Sequence, residues 1–128
     1  MNPKIVDAAF AHGRLMKARE FAMTAAVLFD ESSRNSEQGD SYVTMAIHSG
    51  IASSDVICAT KLGEYSAADS HAAAVSLLKK ANPEAATLLS KLLNLKTKSA
   101  YGHRSVSAAE IRSAESAHKK LLQIAEQL

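Results

Sequence analysis

Tryptophan is absent from the sequence, aromatic residues make up only 5% of it, and Cys58 is its one cysteine. A core without large rings must be assembled from Ala, Leu, Ile, Val and Met, a palette that suits closely packed helices better than a sheet. One thiol cannot build an intramolecular disulfide framework, which fits a reducing compartment. With 2 prolines and 5 glycines the chain has too few breakers to punctuate many strands. No apolar run approaches the ~20 residues that a bilayer-spanning helix needs. The opening stretch from Met1 to Asp7 holds no continuous apolar segment of the leader type. An excess of one charge is missing too: 15 basic and 13 acidic side chains leave a formal +2, too mild to compel a nucleic-acid partner. The expectation from these absences is a cytoplasmic protein that makes no use of a membrane.

What is present is ordinary globular material, 47% hydrophobic and 22% charged over 128 residues. That length suits a single domain over residues 1–128 and buries roughly two-thirds of the unfolded surface without staples. Five helical segments are predicted. The first runs from about Pro3 to Asp30, with Ala8, Ala11, Leu15, Ala18, Ala22, Ala25 and Phe29 forming a stripe small enough for a neighbour to approach closely. A polar loop, Glu31 to Asp40, follows. The second helix, Ser41 to Leu62, places Val43, Ile47, Ile51, Cys58 and Leu62 on one face, with Gly63 as its left-handed stop. A third starts near Asp69 or Ser70, either of which can cap it. Asn82-Pro83 restarts the chain, and the fourth segment continues through Leu95 towards Tyr101, ending at Gly102. The last helix opens on a capping box, Ser107-Ala108-Ala109-Glu110, stapled by Val106 and Ile111. Long amphipathic helices on short connections predict an all-α fold, an antiparallel up-and-down bundle of four to five helices.

Few residues carry chemistry. Asp55 falls on or beside the buried stripe, where a carboxylate needs a partner. His71, at the start of the third helix, is placed to meet it. The two read first as a structural pair pinning a helix hairpin, and alternatively as an acid–base or ligand pair. Glu115-Ser116-Ala117-His118 matches the Glu-x-x-His element of dinuclear metal bundles, but no second copy occurs. His118, on an apolar stripe, reads as a satisfied core histidine, so no metal and no cofactor are expected. His48 stands two turns from Asp55, too far for contact. From Lys79 to Arg104 the chain is at its most basic, and Tyr101 interrupts those charges as a ring that could stack a base.

The segments Ile51-Ala52-Ser53-Ser54-Asp55-Val56-Ile57-Cys58-Ala59, Leu62-Gly63, Asp69-Ser70-His71, Leu77-Leu78, Leu92-Leu93, Lys98-Ser99-Ala100-Tyr101-Gly102 and Val106-Ser107 leading to Ala117 together resemble the HEPN superfamily of small helical bundles, over roughly residues 5 to 128. The resemblance implies a bundle that pairs with itself and works in RNA cleavage, toxin–antitoxin modules, defence or nucleotide-linked regulation. In catalytic members an Arg and a His are separated by four to six residues. Here Arg112 and His118 match on spacing alone, and inside one helix six residues turn the chain until they lie about 120° apart. Lys98 and Tyr101 stand where relatives place a basic residue before an aromatic one, and Lys is a poorer bidentate phosphate clamp than Arg. Asp55, His71, Lys98 and Tyr101 are therefore the candidate binding constellation. The expected function is that of a non-catalytic accessory, homodimeric through its long helices, bound to RNA or a nucleotide and to a nucleotidyltransferase-type partner protein. The alternatives are an active metal-independent ribonuclease or toxin using His71, His103 or His118 across a dimer interface, and a carboxylate–histidine metal bundle built around Glu115 and His118.

Overall fold

A computed structural model describes residues 3–67 and 70–128. Its helices are α1 (Ala8–Val27), α2 (Gly39–Leu62), α3 (His71–Ala81), α4 (Pro83–Leu93), α5 (Lys96–Ala100) and α6 (Ala108–Glu126). The local signals explain most of these boundaries. Ser70 caps α3 by accepting from Ala73 N–H, and Asn82 caps α4 by accepting from Ala85 N–H ahead of Pro83. Asp69, the other expected cap, lies outside the described residues. Gly63 closes α2 at φ 66°, a left-handed turn that a side chain would strain. The capping box of α6 forms in both directions: Ser107 Oγ accepts from Glu110 N–H, and Glu110 accepts from Ser107 N–H.

Two boundaries differ from the expectation. Helix α1 begins at Ala8 rather than at Pro3, because the Asp7 carboxylate caps Phe10 N–H at 3.0 Å. The residues before it are extended: β1 (Lys4–Ile5) pairs antiparallel with β2 (Glu64–Tyr65), and Phe10 stacks on Tyr65. The fourth segment is not continuous either. It ends at Leu93, bends through Asn94 and Leu95, and resumes as the short α5.

Helix α2 is the hub, packed on all of the other helices. Against α1 it runs antiparallel, since Arg14 meets Asp55, Ser49 Oγ donates to Ala18 O, Phe21 stacks on His48, and Phe29 on Tyr42. The alanine stripe is used here, with Ala18 and Ala25 wholly buried inside the bundle. Tyr42 meets His118 and Gly50 approaches Leu121, so α6 runs parallel to α2. Glu84 pairs with Lys120, while Leu88 and Lys91 border the earlier turns of α6, so α4 is antiparallel to it. Helices α1, α2, α4 and α6 thus alternate in direction, as an up-and-down bundle requires, and α3, equal in length to α4, is an extra helix folded onto it. Gly50 sits so close to Leu92 that a Cβ there would collide with the leucine methyl. Val106, Ile111, Ala114, Leu121 and Ala125 complete one continuous core.

Candidate functional site

One face of α2 turns Ile51, Ser54, Asp55 and Cys58 towards the gap left where α3 folds back on α4. The helical period puts positions 51, 54, 55 and 58 on one side, so apolar and polar groups alternate along a single wall. Opposite stand Leu89 and Leu93 of α4 and Lys96 at the start of α5; Ser70 and His71 form the rim. These groups enclose a cavity of about 280 Å³.

Asp55 is the charged group at its base. Its Oδ2 accepts from Arg14 Nε of α1 at 2.9 Å, and both side chains are largely buried. Its Oδ1 takes no hydrogen bond among the described residues. Burial pushes the carboxyl up to about 6, and the Arg14 guanidinium pulls only part of that back. Asp55 therefore exchanges a proton within reach of neutral pH. The neighbouring Cys58 thiol is pushed up to about 12, by burial first and then by the negative charges of Asp55 and Glu64. It stays protonated, an inert thiol rather than a nucleophile.

The partner of Asp55 is thus Arg14, not His71 as the sequence suggested. His71 is exposed at the edge of the same cavity, and no hydrogen bond joins it to Asp55 among the described residues. Arg14 lies four residues before the buried Ala18, and that position on an otherwise apolar face is the one signal in the sequence that could have marked it. Lys98 and Tyr101 do not reach the cavity. Lys98 Nζ donates to Glu110 Oε1 at 2.8 Å, which ties α5 to the start of α6, and Tyr101 is exposed. The expected four-residue constellation is therefore split, and Lys96, two residues before Lys98, supplies the cavity's cation instead.

The Arg112–His118 pair does not converge. His118 is buried, with Nε2 3.1 Å from the Tyr42 hydroxyl, while Arg112 is exposed beside Lys91 in a groove between α4 and α6. Burial drives the His118 pKa down to about 4, Lys119 adds to this, and Glu115 opposes it, so the ring is neutral. Glu115 is engaged elsewhere, accepting from Arg34 at 2.7 Å and from Lys119 at 3.0 Å. Burial raises its pKa, but those two cations outweigh it and hold the carboxyl below its ordinary value. Among the described residues no three His, Cys, Asp or Glu side chains cluster to hold a metal, and no helix is long and apolar enough to cross a membrane. Comparison with family models, characterised proteins and solved structures finds no match to this chain.

Proposed function

We propose that this chain is a non-catalytic, HEPN-like accessory bundle that binds a nucleotide, with the base seated in the cavity between α2, α3 and α4. The observation that carries this reading is the composition of that cavity. Its apolar residues, Ile51, Leu89 and Leu93, suit the faces of a planar ring, and Ser54, Asp55, Lys96 and the rim residues Ser70 and His71 bring polar groups to the same space. A base needs that combination, stacking on its faces and hydrogen bonding at its rim. The Oδ1 of Asp55, which takes no hydrogen bond among the described residues, is an acceptor for a ring N–H or exocyclic amine, while Lys96 supplies positive charge for a phosphate. About 280 Å³ is small, fit for one ring system and not for an oligonucleotide. Of the histidines open to the ribonuclease alternative, His118 is buried away from a bulky RNA, which leaves it only the exposed His71 and His103. The metal alternative is disfavoured because Glu115 is held by Arg34 and Lys119 and the Nε2 of His118 by Tyr42, which leaves only the buried Nδ1 of that ring without a partner among the described residues.

Calorimetric titration with a panel of nucleoside monophosphates tests the proposal. Binding should occur and should be lost in Asp55→Asn and weakened in Lys96→Ala, with both variants folded by circular dichroism. A panel that binds nowhere, or binding indifferent to both substitutions, would refute it.

A further inference from the structure

The polar side chains that α2 contributes to the cavity accept hydrogen bonds and have little to donate. Ser54 is buried and gives its one hydroxyl proton to Gly50 O at 2.8 Å, so only lone pairs are left on its oxygen. Cys58 keeps its proton, but a thiol is a weak donor. Asp55, with a pKa of about 6, is mostly ionised at neutral pH, and a carboxylate is an acceptor only. Arg14 Nε takes one lone pair of Oδ2, and Oδ1 takes no hydrogen bond among the described residues. Better donors line the cavity only from elsewhere, Ser66, Ser70 and His71 at and before the start of α3 and Lys96 at the start of α5.

We infer, on the footing that this cavity is the nucleotide site proposed above, that its base is guanine, with the 2-amino group on Asp55 Oδ1 and N1–H on Oδ2 beside the Arg14 bond. A planar carboxylate calls for two donors side by side, and guanine alone among the common bases has them on one edge. Adenine sets its amine between the acceptors N1 and N7, cytosine sets its amine next to the acceptor N3, and uracil has a single N–H between two carbonyls. Each would turn a lone pair towards a carboxylate oxygen in a largely buried wall, where an unmatched polar group costs far more than in water. Arg14 decides which oxygen is left for the amine, and it also decides what asparagine would do in this place. A guanidinium cannot accept a hydrogen bond, so the amide oxygen must stay on the Arg14 side and the amide nitrogen replaces Oδ1. The variant then presents a donor where guanine presents one too. Xanthine, with a carbonyl in place of the 2-amino group, becomes the matching base.

Calorimetric titration of the full chain with the monophosphates of guanosine, inosine, adenosine, cytidine and uridine tests it. Guanosine monophosphate should bind tightest. Inosine monophosphate lacks only the 2-amino group and should bind about tenfold or more weakly, the loss expected of one hydrogen bond to a charged acceptor. Asp55→Asn, folded by circular dichroism, should lose guanosine monophosphate and gain xanthosine monophosphate, which the wild-type chain rejects. Equal binding of guanosine and inosine monophosphates overturns the inference, and so does a variant no better than wild type for xanthosine monophosphate. If adenosine, cytidine or uridine monophosphate binds as tightly as guanosine monophosphate and is lost in Asp55→Asn, guanine is overturned while the cavity keeps its place as a nucleotide site. Binding of none of them overturns both.

Discussion

Replacing Asp55 by asparagine should uncover a pH dependence of stability that the wild-type chain conceals. Asp55 has an ordinary value of 3.8 and a folded one of about 6. Between those values the folded chain holds a proton that the unfolded chain has released, so stability falls as pH rises through this window. The difference converts to about 3 kcal/mol. His118 runs the other way. Its ordinary value is 6.5 and its folded one about 4, so across nearly the same window the unfolded chain holds the extra proton and stability rises with pH. That gain is again about 3 kcal/mol. The two slopes nearly cancel. Asn cannot titrate, so Asp55→Asn leaves the His118 slope alone: the variant should match wild type near pH 4 and exceed it by about 3 kcal/mol at pH 7. Urea unfolding followed by circular dichroism at intervals from about pH 4 to pH 7 reads the difference directly, since every other titrating group is common to both proteins. Parallel profiles with a constant offset would refute the assignment of a raised Asp55. A stabilised variant that no longer binds a nucleotide would place Asp55 among residues kept for function at a cost in stability.

The capping box gives a second test. Ser107→Ala removes the acceptor for Glu110 N–H and should cost about 1 kcal/mol, seen as a lower melting temperature; an unchanged melt would mean that the capping box contributes nothing to α6. At Gly50, alanine would force the buried Leu92 to move, and overpacking of this kind costs about 1–3 kcal/mol. Thermal unfolding of Gly50→Ala should show that loss, and Gly50→Ala/Leu92→Ala should cost less than the sum of the two single changes, as expected for two side chains in contact.

Short-range chemistry was legible in the sequence wherever one residue sets a boundary. Ser70, Asn82-Pro83, Gly63 and the Ser107–Glu110 box act within four residues of themselves, and each sits where its physics puts it. His118 is likewise a core histidine with a partner, although that partner, Tyr42, lies 76 positions away and no local pattern names it. The start of α1 was misplaced because Pro3 and Asp7 are both good opening residues, and the choice is made by pairing between residues sixty positions apart, Lys4 with Tyr65 and Ile5 with Glu64. The break at Asn94 interrupts an apolar period that runs on through Leu95, so the pattern alone reads as one helix. The candidate site was half visible. Periodicity carried Asp55 to the inner face of α2, but whether Arg14 or His71 would reach it is decided by how α1 and α3 lie across α2. Lys98 stands apart from the cavity for a similar reason. On a helix of five residues a shift of two positions is more than half a turn, enough to aim Lys96 at the cavity and Lys98 at Glu110.

The hub position of α2 has a consequence for how the chain is made. Tyr42, Ala46, Ile47 and Gly50 face neighbours that include α6, which follows later in the chain. At about 5–20 residues per second, synthesis leaves the α1–α2 hairpin waiting several seconds with that flank uncovered. That strip is left without His118 and Leu121 to close it. A ribosome-bound holdase would find its target there. Any product that stops short of α6 should remain on the chaperone or aggregate rather than accumulate as a smaller bundle.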